Sequence, residues 1–232
     1  METRFMPSDT QPPATAPATG QWNPDQIFPV LRHRERRRYL SLMAANGRPY
    51  LAYDLDTTKY KRLNSTLKHL AMMCEAGLLV SAPDPKDGRR TLYTLAPSVP
   101  VKKATEGGTV IDFGFALLRS DGAEPQAKAQ ASGGWKPDEI FSILALPPRR
   151  RVLFAMAHGK AATATAMEGA SKMRLDATLK HLTALRKAGM LLTSPDPTDA
   201  RQTLYRLAPS VPVTKTPEGG TVIDFGFCLL RL

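Results

Sequence analysis

The side chains best able to do chemistry in this chain are cations and short polar groups gathered on two matched stretches. Lys59, Lys61, Arg62, Asn64, Ser65 and Lys68 share one face of a helical period whose apolar side reads Leu63, Leu67, Leu70. The corresponding positions further on are Met173, Arg174, Asp176, Ala177 and Lys180, preceded by Lys172. Each stretch leads into a strand–turn–strand pattern, with Lys86, Arg89 and Arg90 at the first tip and Arg201 and Gln202 at the second. Amide, ammonium and guanidinium groups on one helix face can bond the base edges of a major groove. Cations at a hairpin tip suit phosphates, or a narrow minor groove where negative potential concentrates. The plainer reading is a solvated charged face, with Asp87 and Asp199 pairing to the neighbouring cations within each hairpin.

Other groups point less clearly to a site. The runs Arg32-His33-Arg34-Glu35-Arg36-Arg37-Arg38 and Arg149-Arg150-Arg151 open a helix in each half and suit either phosphate contact or a structural role. His69 and His181 occupy matched positions and read as packed, neutral histidines rather than ligands. Cys74 aligns with Arg186 and Cys228 with Ala116, so neither thiol belongs to a repeated design. No Gly-rich phosphate loop, HExxH or GxSxG occurs, and no metal-ligand spacing is present. The expectation is a non-enzyme without cofactor or metal.

These residues belong to a tandem repeat. Positions 66–119 match 178–231 without a gap at 37 of 54 sites. Trp22-Asn23-Pro24-Asp25 returns as Trp135-Lys136-Pro137-Asp138, so the duplicated units span 22–119 and 135–232. Residues 1–21, rich in Pro, Thr and Ala, read as a disordered tail, and 120–134 as a flexible linker. The formal charge is +11 from 32 basic and 21 acidic residues. It divides into +7 on 22–119 (16 basic, 9 acidic) and +6 on 135–231 (14 basic, 8 acidic), with the tail and linker supplying −2. The surplus therefore sits on the repeated units and suggests a polyanionic partner. Two scattered cysteines, no apolar run of membrane-spanning length and no leader pattern suggest a cytoplasmic protein.

The elements that must position the polar faces follow from hydrophobic period and end signals. Helices are expected over 24–31, about 35–45, a short one over 49–57 and, longest, 59–75, where Ala76-Gly77 supplies the stop. The period then changes to strands at 78–81 and 91–95, followed by a single strand over 109–118. Four helices and a β-hairpin per unit describe a winged helix-turn-helix. The expected fold is thus α+β, mainly α, with two tandem winged helix-turn-helix domains.

Leu146-Pro147-Pro148-Arg149-Arg150-Arg151-Val152-Leu153 with Ala157-His158-Gly159 resembles the opening helices of ArsR-type transcription regulators. Thr178 to Leu182 through Leu191 is similar to their recognition helix and following strand. The Asp84 to Arg89 turn, repeated at Asp196 to Arg201, resembles the wing of MarR-type regulators. That resemblance implies binding of double-stranded DNA by helices in successive major grooves, with basic wings on the minor groove or backbone. It implies a nucleoid-associated transcription regulator. An architectural nucleoid protein and a tandem scaffold module of a chromosome-associated complex are the alternatives. Those regulators dimerise through terminal helices, whereas each unit here ends in the strand-like TVIDFGF, which either completes its own sheet or joins a homodimer.

Overall fold

A computed structural model describes residues 22–56, 63–104, 108–120, 134–159 and 161–232. In the first unit, α1 (Pro24–Leu31) starts where Asn23 accepts the Asp25 backbone N–H at 2.8 Å and Pro24 supplies a preset φ. Next, α2 (Arg34–Asn46) ends at Gly47, whose φ of 62° is the left-handed cap that a glycine adopts without strain. A two-residue strand β1 (Tyr50–Leu51) and one turn of helix α3 (Ala52–Leu55) precede α4 (Leu63–Glu75). The chain then forms the hairpin β2 (Leu79–Asp84) and β3 (Asp87–Leu95), then β4 (Val101–Lys103), β5 (Thr109–Asp112) and β6 (Ala116–Ser120).

The second unit repeats this order as α5 (Pro137–Leu144), α6 (Pro147–His158), β7 (Ala162–Thr163), α7 (Glu168–Ser171), α8 (Leu175–Lys187), β8 (Leu191–Pro195), β9 (Thr203–Leu207), β10 (Val213–Lys215), β11 (Thr221–Asp224) and β12 (Cys228–Arg231). Each helical cluster packs beside a three-stranded sheet, β1-β3-β2 or β7-β9-β8. Aromatic edges tie the unit ends to the helices. Trp22 meets Phe113 at 5.3 Å and Phe28 meets Phe115 at 5.2 Å, with Trp135–Phe225 and Phe141–Phe227 repeating the pattern.

The expected mainly α chain of two winged helix-turn-helix domains is overturned by the sheets. Among the described residues there are eight helices and three sheets, and the largest sheet belongs to neither unit alone. Its order is β10-β11-β12-β6-β5-β4, so six strands run across the molecule from one copy to the other. The segment expected as one strand over 109–118 instead folds back on itself. Gly114 adopts φ +83° and the Asp112 carboxylate accepts its N–H at 3.0 Å, turning the chain between β5 and β6. That reversal leaves β6 with an unpaired edge, and β12 fills it. Ser120, expected as linker, is the last residue of β6 and is buried opposite Thr109. The tail 1–21 and linker residues 121–133 lie outside the described residues.

The β6–β12 register pairs Leu118 with Cys228, Leu117 with Leu229 and Ala116 with Leu230. Exchanging the two units converts the first pair into the third and leaves the middle pair unchanged. A contact set that maps onto itself in this way is the signature of a two-fold axis. The chain is therefore a dimer folded into one polypeptide, with Leu117 and Leu229 at the axis.

Candidate nucleic-acid interface

On α4 the buried side chains are Thr66, Leu70 and Met73, and on α8 they are Thr178, Leu182 and Leu185. This i, i+4, i+7 stripe fixes which side faces water. Thr66 is satisfied by the Tyr39 hydroxyl at 3.3 Å; Thr178 meets the Ser171 hydroxyl at 2.7 Å. The opposite face of α4 exposes Asn64, Ser65 and Lys68, and that of α8 exposes Asp176 and Lys180, with Lys172 and Arg174 just before it. Lys59, Lys61 and Arg62 lie outside the described residues.

Leu67 corrects the expected apolar side. The hydrophobic period puts it with Leu70, but it is 39% exposed and its counterpart Leu179 38%. The stripe runs through Thr66, not Leu67, because a threonine hydroxyl with a buried partner packs as core. The solvent faces therefore mix cations, amides and one leucine each.

The hairpin tips are built on aspartates. Asp84 accepts the Lys86 backbone N–H at 2.9 Å and Asp87 accepts that of Arg89 at 3.1 Å. Asp87 also pairs with Arg90, Nε to Oδ2 at 2.9 Å, so the plainer reading holds for that cation. In the second tip, Asp196 accepts the Thr198 hydroxyl at 2.7 Å, which holds its carboxyl below the usual range. Asp199 accepts the Arg201 backbone N–H and the Gln202 side-chain amide, each at 3.0 Å. Lys86, Arg89, Arg90, Arg201 and Gln202 are all exposed.

No family model and no curated protein matches this chain. The assignment of a function rests on the geometry alone.

Four other cations form the seam between the units: Arg37 and Arg150, from the runs that suit either phosphate contact or a structural role, and Arg119 and Arg231, which have no role in the sequence reading. Arg37 pairs with Asp138 and lies 5.0 Å over the Phe141 ring, while Arg150 pairs with Asp25 and lies 5.2 Å over Phe28. Burial pushes the Arg150 pKa down to about 10, leaving it cationic at neutral pH. Arg119 pairs with Asp224 and Arg231 with Asp112. The signal that could have revealed them was present: Arg and Asp recur in both copies beside apolar core positions.

The histidines lie against the helix openings. His69 stacks on His33 at 4.1 Å, and Arg36 Nε donates to His69 Nδ1 at 3.4 Å. Burial, His33 and Arg36 all hold the His69 pKa below the ordinary histidine value. In unit two, Pro148 stands where unit one has Glu35, the partner of Arg38 at 2.9 Å. Arg149 Nε, Arg151 Nε and His181 Nδ1 are buried there without a hydrogen-bond partner among the described residues. Among the described residues no group of three His, Cys, Asp or Glu could hold a metal, and no helix is long and apolar enough to cross a membrane.

Proposed function

We propose that the chain binds double-stranded DNA as a single-chain pseudo-dimer and acts as a transcription regulator. The carrying observation is the pair of exposed polar and cationic helix faces, on α4 and α8, each leading directly into an exposed hairpin tip. Two surfaces of one kind, related by a two-fold axis, suit a duplex whose backbones are themselves related by two-fold axes. The seam strengthens the reading by subtraction. Arg37, Arg150, Arg119 and Arg231 are neutralised by aspartates, so the remaining positive surplus falls on the outer surface. Lys68 and Lys180 on the helices contact the duplex, and the hairpin cations hold phosphate.

The test is titration of duplex DNA at several salt concentrations with the full chain and with Lys68→Ala and Lys180→Ala. Phosphate contact by each lysine predicts a log–log salt slope shallower by about 1 per substitution. Binding without sequence preference would indicate an architectural role instead of a regulator. Absence of binding at low salt overturns the reading. One observation favours a scaffold in that event: Leu67, Leu179, Val80 and Leu192 expose matched apolar area on the same elements, between 38% and 41% each.

A further inference from the structure

We infer that the DNA target is an inverted repeat with two unlike half-sites, and that the chain sits on it in one orientation only. The inference rests on the DNA-binding reading above and adds which DNA is bound and how.

The arrangement follows from the seam. Arg37–Asp138 and Arg150–Asp25 exchange with one another when the units are exchanged, as do Arg119–Asp224 and Arg231–Asp112. Head-to-tail stacking of two units cannot produce reciprocal contacts; only a two-fold rotation does. Any surface on unit one is therefore presented by unit two in the reversed sense. Two half-sites read simultaneously must run in opposite directions, which excludes a direct repeat.

The half-sites differ because the reading faces differ. Asn64 and Asp176 are equivalent, each the second residue of its helix and each exposed. First-turn side chains are those that a helix entering a major groove brings to base edges. An asparagine amide both donates and accepts, matching adenine N7 and N6. A carboxylate only accepts, matching the cytosine N4 amine and repelling purine acceptors. Unit one thus selects adenine and unit two selects cytosine at the same place in their half-sites. A symmetric homodimer lacks this direction; duplication followed by divergence at this exposed position, among others, supplies it.

The experiment is selection from random duplexes with the full chain, with Asn64→Asp and with Asp176→Asn. Both substitutions are on exposed first-turn residues, and urea midpoints equal to the parent's establish that the variants are folded. The parent is expected to enrich an inverted pair of unlike half-sites. Asp176→Asn is expected to enrich a symmetric site with adenine in both halves, and Asn64→Asp one with cytosine in both. Each variant should bind the parent's site roughly 10- to 100-fold more weakly. Enrichment of direct repeats, of identical half-sites by the parent, or of unchanged sites by both variants overturns the inference while DNA binding stands. Sequence-blind binding overturns it too. Absence of duplex binding at low salt overturns the underlying reading instead.

Discussion

Arg119 and Asp224 form a two-pronged ion pair across the seam, Nη1–Oδ1 at 2.6 Å and Nη2–Oδ2 at 3.0 Å. Arg231 and Asp112 repeat it from the other side at 2.5 and 3.1 Å. The parallel fork is the strong geometry for guanidinium and carboxylate. Both partners of the first pair remain about a third exposed, which screens it. A double-mutant cycle of Arg119→Ala and Asp224→Ala in urea should give a coupling of about 1 kcal/mol. Additive losses would show that the fork contributes nothing to holding the units together.

Arg37 should matter more. Its side chain is 9% exposed, and Nη1 donates to the carbonyls of Leu31 at 2.7 Å and Arg32 at 3.0 Å, closing the end of α1. Arg37→Ala leaves those carbonyls unsatisfied beside the Phe141 ring and should lower stability by about 2–4 kcal/mol. Asp138 is 64% exposed, so Asp138→Ala should lower it by less than about 1 kcal/mol. Equal shifts in urea midpoint would contradict this account.

The two thiols report on the seam. Cys228 is fully buried opposite Leu118, and burial pushes its thiol pKa far up. Cys74 is half-buried, with its pKa raised mainly by burial. A thiol reagent should leave Cys228 unmodified in the native protein, label Cys74 slowly and label both in denaturant. Rapid native labelling of Cys228 would mean that β6 and β12 separate readily.

Stability should depend on pH through His33 and His69 of unit one and His181 of unit two, each held below the ordinary histidine value first by burial. Burial is the first cause lowering the pKa of both His33 and His69, with Arg36 acting on each in the same direction. The unfolded chain then binds more protons than the folded one between the depressed values and about 6.5. Stability should rise with pH through that window and level off above it. His33 Nδ1 also accepts the Glu35 backbone N–H at 3.3 Å, and protonation removes that acceptor. His33→Asn keeps an acceptor without the titration and should flatten the slope in thermal melts. Asp112, held low chiefly by the Arg231 hydrogen bond, loses its contribution only as pH falls below about 3.8, so the two effects separate.

The hairpins should contribute unequally to DNA affinity. Lys86, Arg89 and Arg90 with Asp84 and Asp87 leave the first tip at +1; Arg201 with Asp196 and Asp199 leaves the second at −1. Arg89→Ala should therefore weaken binding more than Arg201→Ala in a duplex titration. Equal losses would show that the tips act alike.

Much of the architecture was legible because its causes are local. The duplication, the even split of charge, the Gly77 stop after α4 and the hairpin turns each follow from residues close to one another or from direct comparison of the two copies. Short-range signals failed where a partner lies far along the chain. Gly114 inside an apolar run read as strand, since only its hydrogen-bonding with Asp112 and the pairing of β5 with β6 make it a turn. Leu67 read as core because a threonine gave no apolar signal at the buried position beside it.

Two units of one kind, each with a polar helix face and a hairpin tip, can be read from the repeat and its hydrophobic periods. That they are halves of one two-fold body emerges from contacts made in the folded chain. The pairs that make it so, Leu117 with Leu229, Arg37 with Asp138 and Arg119 with Asp224, are separated by more than a hundred residues. Hydrophobic period and capping chemistry carry no information over that distance. Strand-edge pairing and charge neutralisation at the seam do, and they leave the outer helix faces as the surface for a partner.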